Sequence, residues 1–360
     1  MIVTRLTARH FRTYARVEVP LGGRVTVVTG DNGAGKTNLL EALYFGCVGR
    51  SCRTRVDNQA IEFDQSVARV EVDGHDGEED HTLAVAIDKT EGKTFFADGA
   101  KVESIADFGW RPPTAVFMPD RLELIKGAPG ARRAHLDQFV AALWPGRRGA
   151  RRTYVAALAQ RNALLTRGGG DAELDAWDVE LARAGIELMA DRVKAVDELT
   201  GRYSEIGVEL GLVDHPNVRY RPSVKAASVD GFVADLAERR SADRARGFST
   251  YGPHRDEVVF SLAGRDVRTY GSQGQQRLSL LSLLLSECET ILAITSRRPL
   301  VLLDDVMSEL DATRRRLLVE RVERVGQVMI TATESGHVPE GTPVDTVIEV
   351  ADGVATVHEQ

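Results

Sequence analysis

The sequence predicts an α/β fold interrupted by an inserted helical lobe, and three observations support this prediction. First, residues 24–29 (RVTVVT), five of which are β-branched, lead into a glycine-rich segment, and residues 37–45 have the apolar spacing of a helix. Second, apolar residues recur at helical spacing between about residues 136 and 188. Third, strand-like segments return after Asp256. Both ends of the chain are therefore expected to build one α/β core around a helical lobe.

The expected division of the chain is 1–114 for the N-terminal part of the core, 115–246 for the helical lobe and 247–360 for the C-terminal part. In the first range, alternating segments at 67–87 and 94–97 predict an antiparallel accessory sheet. In the lobe, one helix stops at Pro145, a second ends at the three glycines 168–170, and a third begins near Asp175. Its periodicity fades near Gly201, which predicts a packed helical hairpin and not a long coiled-coil arm.

Composition limits the class of protein. A chain of 360 residues with 43% hydrophobic content can bury a sizeable core. The sequence has no run of about 18 apolar residues and no apolar signal segment at its start, so we expect a cytoplasmic protein without a membrane span. The three cysteines form no metal or disulfide framework. The net charge of −7 argues against a protein that coats nucleic acid with its whole surface.

Residues 30–37 read GDNGAGKT, which matches G-x-x-x-x-G-K-[ST] between a predicted strand and a predicted helix. In such a loop the backbone N–H groups and the helix N-terminus surround phosphates, the lysine reaches the β- and γ-phosphates, and the hydroxyl binds Mg²⁺. We therefore predict that ATP binds here with Mg²⁺; an incidental glycine turn is the weaker alternative. The predicted cofactor-binding residues of this loop are Gly30, Asp31, Asn32, Gly33, Ala34, Gly35, Lys36, Thr37 and Asn38.

Two carboxylates, Asp304 and Asp305, follow the apolar strand at 300–303. The C-terminal ends of strands border the ligand crevice in open α/β sheets. We predict that Asp304 and Thr37 hold Mg²⁺, that Asp305 orients or deprotonates the attacking water, and that Lys36, Asp304 and Asp305 are catalytic. A carboxylate that only caps the next helix is the alternative for this pair.

Residues 270–277 read YGSQGQQR and precede a leucine-rich helix. A serine and a glycine at the start of a helix form an anion site. Because the phosphate loop of the same subunit already holds the phosphates, we expect Ser272, Gly274 and Gln275 to bind the γ-phosphate of a nucleotide held by a second copy. This predicts an ATP-dependent homodimer, and residues 308–311 (SELD) are expected at the same interface. An ordinary capped helix is the alternative.

A local positive surplus lies between Arg111 and Arg167, with eleven Arg or Lys and three Asp or Glu. We expect this region to contact the phosphates of double-stranded or gapped DNA, because arginine binds phosphate with two N–H groups and few aromatic residues are present for base stacking. For any single arginine, the alternative is a solvated helix face or an ion pair. The candidate DNA-binding residues are Arg121, Lys126, Arg132, Arg133, Arg147, Arg148, Arg151 and Arg152, with Arg111, Arg161 and Arg167 in the wider set.

The order of these motifs resembles ABC/SMC-type P-loop ATPase heads. Further segments are similar to the bacterial RecF family, namely FRTY at 11–14, GRSCRT at 49–54, PDRLELIKG at 119–127, Arg132-Arg133 with Leu136-Asp137, and GPHRD at 252–256. The resemblance spans nearly the whole chain. It implies a cytoplasmic DNA replication and repair protein that dimerises on ATP, hydrolyses it weakly and binds DNA. It also implies that the protein works with RecO and RecR to help load RecA at gaps, with a part in recombination and the SOS response.

Two features depart from the ABC pattern. No histidine stands directly after the strand at 328–331, where the segment 331–333 reads TAT, and no glutamine lies near residues 118–120. Both absences are consistent with weak hydrolysis. Two competing interpretations remain at this point. The first is the cytoplasmic ATP-binding subunit of a transporter, which usually carries both residues; the second is an SMC-like tether, which needs long heptad arms.

Overall fold

The computed structural model describes residues 1–359, apart from the side chains at 119, 120, 335 and 359. Its contacts divide the chain into two compact units. The first unit combines Met1–Arg121 with the chain from Ile291 onward, and the second is Leu122–Thr290.

The helices and strands follow in chain order. They are β1 (Ile2–Phe11), β2 (Tyr14–Pro20), β3 (Val25–Thr29), α1 (Lys36–Val48), β4 (Val67–His75), β5 (Asp80–Asp88), β6 (Gly92–Ala97), β7 (Ala100–Val102), β8 (Thr114–Phe117), α2 (Glu123–Lys126), α3 (Pro129–Leu143), α4 (Arg148–Arg167), α5 (Asp171–Glu209), β9 (Asn217–Arg221), α6 (Val229–Arg246), β10 (Glu257–Leu262), β11 (Arg265–Asp266), α7 (Val267–Tyr270), α8 (Gln273–Thr295), β12 (Leu300–Asp304), α9 (Ala312–Val325), β13 (Gln327–Ala332), β14 (Val344–Ala351) and β15 (Val354–Glu359). Short 3₁₀ turns connect several of these elements.

The first unit contains a mixed sheet with the strand order β15-β14-β3-β13-β12-β8. All neighbours pair in parallel except β14 and β15, which form an antiparallel pair. All five residues of β12 are buried, as expected for a parallel strand that is covered on both faces. Because β3 and β12 are both parallel to β13, the phosphate loop (residues 30–37) and the acid pair (Asp304 and Asp305) lie at the same edge of this sheet.

The predicted antiparallel accessory sheet is confirmed, with the order β2-β1-β4-β5-β6-β7. Helix α1 packs between this sheet and the parallel one, and ten of its thirteen residues are buried. Gly46 allows the close approach of α1 to β4, because a Cβ at this position would collide with the side chain of Val72. The helix that begins at the phosphate loop is therefore enclosed by the core of the first unit.

The second unit contains a hairpin of α4 and α5 packed with α6, and the three-stranded sheet β11-β10-β9. The expected start and end of α5 were wrong. The helix starts at Asp171, where the Gly170 N–H donates to the Glu173 carboxylate at 3.0 Å, and it continues through Gly201 to Glu209. Buried side chains on both sides of Gly201, among them Leu199 and Tyr203, keep the apolar stripe in contact with the core and so stabilise the helix.

The contact-based division differs from the expected ranges 1–114, 115–246 and 247–360. Strand β8 pairs with β12, so the chain up to Arg121 belongs to the first unit. Strand β10 pairs with β9, so residues 247–290 belong with the helices of the second unit. Both differences from the expected ranges arise because a strand pairs with a strand that the expected boundaries placed in another range.

One helix among the described residues, α8, is long and apolar enough to cross a membrane by length and composition alone. The expectation concerned an uninterrupted apolar run, and α8 contains serine, glutamate and threonine residues between its apolar positions. However, 72% of its apolar window is buried inside the protein, which is the usual property of a core helix in a globular fold. The helix is therefore weak evidence for a membrane span.

Candidate nucleotide site and DNA interface

Residues 30–35 connect β3 to α1 in a loop whose backbone favours glycine at three positions. Gly30, Gly33 and Gly35 have φ angles of 144°, 85° and 120°. A Cβ at Gly30 would also collide with the carbonyl oxygen of Val350. No described side chain caps the first turn of α1, so its amide N–H groups form a site for an anion.

The Lys36 ammonium lies across this loop. Its Nζ donates to the carbonyl oxygens of Gly30 at 2.6 Å and Asp31 at 2.9 Å, and the residue is only 7% exposed. The tip of the loop, residues 31–33, is exposed. A buried cation beside a helix N-terminus suits a polyphosphate, which supports the predicted role of the loop; the roles of its single residues stay predictions.

Thr37 and Asp304 meet at the edge of the parallel sheet. The Thr37 hydroxyl lies 2.9 Å and 3.1 Å from the two carboxylate oxygens of Asp304. Burial raises the pKa of the Asp304 carboxyl, while hydrogen bonds from Thr331 and Thr37 oppose that rise. The structure thus brings together the two residues predicted to hold Mg²⁺.

Asp305, the residue after β12, combines backbone strain with an unpaired side-chain atom. Its φ of 50° is left-handed, which costs a non-glycine residue about 1–2 kcal/mol. Its N–H donates to the Thr331 hydroxyl at 3.0 Å. Its Oδ1 is buried and has no hydrogen-bond partner among the described residues. Such a combination is typical of functional sites and supports the predicted role of orienting water.

The side chains at this edge fit a magnesium ion. Thr37 and Asp304 supply oxygen atoms that lie close together. Mg²⁺ prefers oxygen ligands and is usually held by one or two protein groups together with substrate phosphates and waters. Thr37 and Asp304 are the residues that would hold the ion, which would neutralise phosphate charge.

The sequence-based prediction missed a polar cluster beside the phosphate loop, which consists of Glu41, Arg12, Ser51 and Arg53. Glu41 on α1 is fully buried and accepts hydrogen bonds from Arg12 at 2.7 Å and 3.0 Å and from Ser51 at 2.5 Å. Arg53 Nη1 lies 3.4 Å from Glu41 and 3.0 Å from Asn38 Oδ1. The available signal in the sequence was the single carboxylate in an apolar helix, because such a group requires a polar or cationic partner.

The turn between β1 and β2 also contacts the phosphate loop. The Tyr14 hydroxyl donates to the Gly35 carbonyl oxygen at 3.1 Å. Asn38 Nδ2 donates to Thr13 Oγ1 at 3.0 Å. The side chain of Asn38, a predicted cofactor-binding residue, is therefore held by protein partners in this structure.

No histidine stands directly after β13, and no glutamine stands directly after β8. Thr333 follows β13, and the next histidine, His337, places its Nδ1 3.5 Å from Thr333 Oγ1. The buried Met118 follows β8. The effect of these two absences on hydrolysis stays a prediction.

The segment 270–277 lies in the second unit, at the start of α8. The Ser272 hydroxyl accepts from the Gln275 N–H at 3.2 Å, and the Ser272 N–H donates to Gln275 Oε1 at 2.9 Å. This reciprocal pair is a capping box, so the ordinary capped helix is present. Ser272 and Gly274 are nevertheless exposed, and their predicted contact with a partner's nucleotide stays a prediction.

Residues 308–311 follow the acid pair in the first unit. The Ser308 hydroxyl donates to the Asp305 carbonyl oxygen at 2.8 Å. Asp311 caps α9 by accepting from the Arg314 N–H at 2.9 Å. Their place at a dimer interface stays a prediction.

Two of the arginines that were expected to contact DNA are buried, which corrects the prediction for these residues. Arg132 is 4% exposed, and its guanidinium donates to both carboxylate oxygens of Glu257 at 2.8 Å and 3.0 Å. Arg161 is fully buried between Asp178 and Asp243, at 2.6 Å and 2.7 Å. Their charge is neutralised inside the second unit, so neither side chain can reach DNA in this conformation.

Other candidates are anchored but not buried. Arg121 donates to the Val116 carbonyl oxygen at 3.1 Å, and Arg133 donates to the Asp256 carbonyl oxygen at 2.7 Å. Arg147 pairs with Glu187 at 3.1 Å and Arg151 with Asp137 at 2.9 Å, as the ion-pair alternative expects.

The remaining candidates differ in exposure: Arg152 and Lys126 are exposed, and Arg148 is half-buried. The side chains that remain most accessible are Lys126, Arg147, Arg151 and Arg152.

Comparison with known proteins gives a consistent result. The family described as "RecF/RecN/SMC N terminal domain" matches residues 2–356. DNA replication and repair protein RecF of Anaeromyxobacter sp. (strain Fw109-5) is 36% identical over 367 residues and covers 98% of both chains. The protein of the same name from Heliobacterium modesticaldum is 34% identical and covers 92% of both chains.

Solved structures agree with these relatives. The recombination mediator protein RecF with ATP has a TM-score of 0.88 and 26% identity, covering 99% of this chain and 97% of that one. A RecF structure with ATPγS has a TM-score of 0.87 and 27% identity over the same shares. An Smc head domain from Pyrococcus furiosus, with a TM-score of 0.58 and 17% identity, covers 99% of this chain and 96% of its own and shares the fold. The chain therefore belongs to the RecF family, and its fold is the ABC/SMC-type P-loop head.

Proposed function

We propose that this chain is an ATP-dependent DNA-repair protein of the RecF type, which binds ATP with Mg²⁺, dimerises around the nucleotide and holds DNA in that state. The observation that carries the proposal is the contact of Thr37 with Asp304, at 2.9 Å and 3.1 Å, beside the phosphate loop. The ATP-bound structures of similar proteins support the choice of nucleotide. The family assignment argues against the alternative of a transporter subunit.

Two separate candidate anion sites support the proposed dimer. The phosphate loop of the first unit ends at an uncapped helix N-terminus, and the start of α8 in the second unit exposes Ser272 and Gly274. A triphosphate carries more negative charge than one helix N-terminus can compensate. In the proposed cycle, Ser272, Gly274 and Gln275 of a second copy close over the nucleotide held by Gly30 to Thr37, and hydrolysis reopens the dimer.

The chemistry of hydrolysis is assigned to the edge of the parallel sheet. Lys36 stabilises phosphate charge, and Asp304 with Thr37 holds Mg²⁺. Asp305 orients or deprotonates water with its unpaired Oδ1. We propose a weak ATPase, because no histidine stands directly after β13 and no glutamine directly after β8. The proposed partners are RecR and RecO, with RecA indirectly, in the cytoplasm; the RecFOR pathway named for the similar structures supports this choice.

DNA contact is proposed at the N-terminus of α4. Arg147 is the N-cap of this helix, Arg148, Arg151 and Arg152 lie in its first turns, and no acidic residue and no side-chain cap stand there. Cations at a helix N-terminus are unfavourable because the helix dipole is positive at this end. Arg147, Arg151 and Arg152 are exposed, so we infer that DNA phosphates bind the arginines at this end of the helix and offset the unfavourable interaction with its dipole.

The dimer is tested by sedimentation of the full chain with ATP and Mg²⁺. Ser272→Arg is expected to bind ATP like the wild type but to stay a monomer of 39.3 kDa. Lys36→Arg is expected to weaken ATP-driven dimerisation, because the guanidinium does not fit the site of the ammonium. Ser228→Arg, at the exposed N-cap of α6, is the matched control and should dimerise normally. Equal loss of nucleotide binding in the Lys36 and Ser272 variants would contradict the contribution of a second copy.

DNA contact is tested by the salt dependence of binding to duplex DNA. Reversing Arg148 and Arg152 to glutamate should weaken affinity and reduce the slope of log K against log salt by about 2, one per lost phosphate contact. The control reverses Arg183 and Arg202 on α5. An unchanged slope in the α4 variant, or the same change in the control, would remove this surface from the proposal.

A further inference from the structure

We infer that Thr331 is a positioning residue for the proposed ATPase, and that its hydroxyl holds the carboxylate of Asp304 and the backbone of Asp305 in place. The inference rests on the proposed function, because it assigns a task to a residue beside the acid pair. Thr331 lies on β13 and belongs neither to the phosphate loop nor to the acid pair.

The register of the sheet places this hydroxyl. Strands β12 and β13 are parallel, and Asp304 pairs directly with Thr331. Thr331 is fully buried. Its hydroxyl lies 2.9 Å from Asp304 Oδ1 and 3.0 Å from the Asp305 nitrogen. The backbone N–H can only donate and the carboxylate can only accept, so the Thr331 hydroxyl accepts from Asp305 and donates its single proton to Asp304.

The two bonds restrain two different features of the site. Asp305 has a strained φ of 50°, and such a conformation persists only where surrounding contacts hold it. The hydrogen bond from its N–H to Thr331 is such a contact. The Asp304 carboxylate is held by Thr37 from the side of the phosphate loop and by Thr331 from the side of the sheet. Because Thr331 lies on a buried strand, its contact does not depend on the conformation of the loop.

A purely packing role for this side chain is less consistent with its contacts. Valine has the same shape as threonine and suits a buried strand at least as well. Here the hydroxyl uses both its donor and its acceptor capacity on two consecutive residues of the proposed site. Partners that orient the ligands of a metal typically change metal affinity or activity by 10–100-fold when they are removed.

The test compares Thr331→Val, which removes the hydroxyl, with Thr331→Ser, which keeps it. The full chain is titrated with Mg²⁺ in the presence of a fluorescent ATP analogue, and kcat and KM for ATP are measured separately. Thr331→Val should raise the Mg²⁺ midpoint by about tenfold or more and lower kcat similarly, while binding of the analogue without Mg²⁺ and the KM for ATP change little. Thr331→Ser should return both values to within about twofold of the wild type.

Thr26→Val is the matched control. Thr26 is 1% exposed, lies on β3 next to β13, and its hydroxyl accepts from the Gly22 N–H at 2.9 Å. The Thr26→Val substitution therefore removes a buried hydroxyl from the same sheet, and this hydroxyl bonds to Gly22 and not to the acid pair. If Thr331→Val does not fold, Thr331→Cys, which keeps the size and only a weak donor, replaces it with an expected shift in the same direction.

The outcomes separate this inference from the proposed function. A Mg²⁺ midpoint and kcat of Thr331→Val equal to those of Thr26→Val would overturn the inference alone. Failure of Thr331→Ser to restore them would do the same, since the hydroxyl would then not be the group that matters. A wild-type chain that binds the analogue independently of Mg²⁺ would overturn the proposed nucleotide chemistry itself, and the inference with it.

Discussion

Glu41→Gln tests how strongly the polar cluster holds the segments around the phosphate loop. Glu41 is fully buried and pairs with Arg12 at 2.7 Å and Arg53 at 3.4 Å. Removing one partner of a buried ion pair typically costs about 3–5 kcal/mol. Because the Arg12 and Arg53 side chains are 20% and 37% exposed, water can solvate part of the freed charge. We therefore expect the free energy of unfolding to fall by about 2–3 kcal/mol.

The assay is urea unfolding of the full chain combined with hydrogen exchange of the α1 amides. Faster exchange is expected in residues 36–60, where α1 and the segment after it depend on this carboxylate. Glu18→Gln is the control, because Glu18 is 43% exposed and pairs with Arg5 at 3.3 Å, and an exposed pair contributes about 0–1 kcal/mol. A loss in Glu41→Gln no larger than in this control would refute the reasoning.

Three further predictions concern the acid pair and the second unit. Asp305→Asn should lower ATP turnover by about 10²–10⁴-fold and keep ATP binding, because asparagine tolerates a left-handed φ; a turnover within tenfold of the wild type would contradict the role. Arg161→Met leaves Asp178 and Asp243 buried without their cation and should cost about 3–5 kcal/mol in urea unfolding, against less than about 1 kcal/mol for the exposed Arg167→Met. Burial lowers the pKa of His254 to about 4, so the unfolded chain takes up this proton first and stability should fall as pH decreases from about 6.5 towards 4. A urea midpoint that stays constant over this range, or that falls equally in His254→Gln, would contradict the assignment.

The placement of the phosphate loop and the acid pair at one edge of the sheet could be predicted from the sequence, because each directly follows a strand. A strand, a glycine loop and a helix are consecutive in the chain, and the glycines at 30, 33 and 35 have the positive φ values that this loop needs. Residues 300–303 are apolar and all of β12 is buried, so the carboxylate at the end of the strand was expected to border the crevice of the sheet. Their meeting, at 2.9 Å between Thr37 and Asp304, follows from the parallel order of the strands.

Whether each arginine is buried in an ion pair or exposed to solvent could not be predicted in this way. Arg132 and Arg152 belong to the same basic region of the sequence, yet Arg132 is bound to Glu257 inside the second unit and Arg152 is exposed. Glu257 is more than a hundred residues away along the chain, so only the packing of β10 against α3 brings its carboxylate to Arg132. Charge counting therefore located a basic region without showing which members are neutralised.

The sequence by itself determined the class of the fold, the family and the nucleotide loop, because consecutive residues encode each of them. Only the tertiary structure decided which distant side chains complete the site. Thr331 meets Asp304 because two parallel strands share one register, and Arg12 meets Glu41 because a turn of one sheet packs on the helix. Contacts of this kind depend on the alignment of elements far apart in the chain, a property that no local pattern contains.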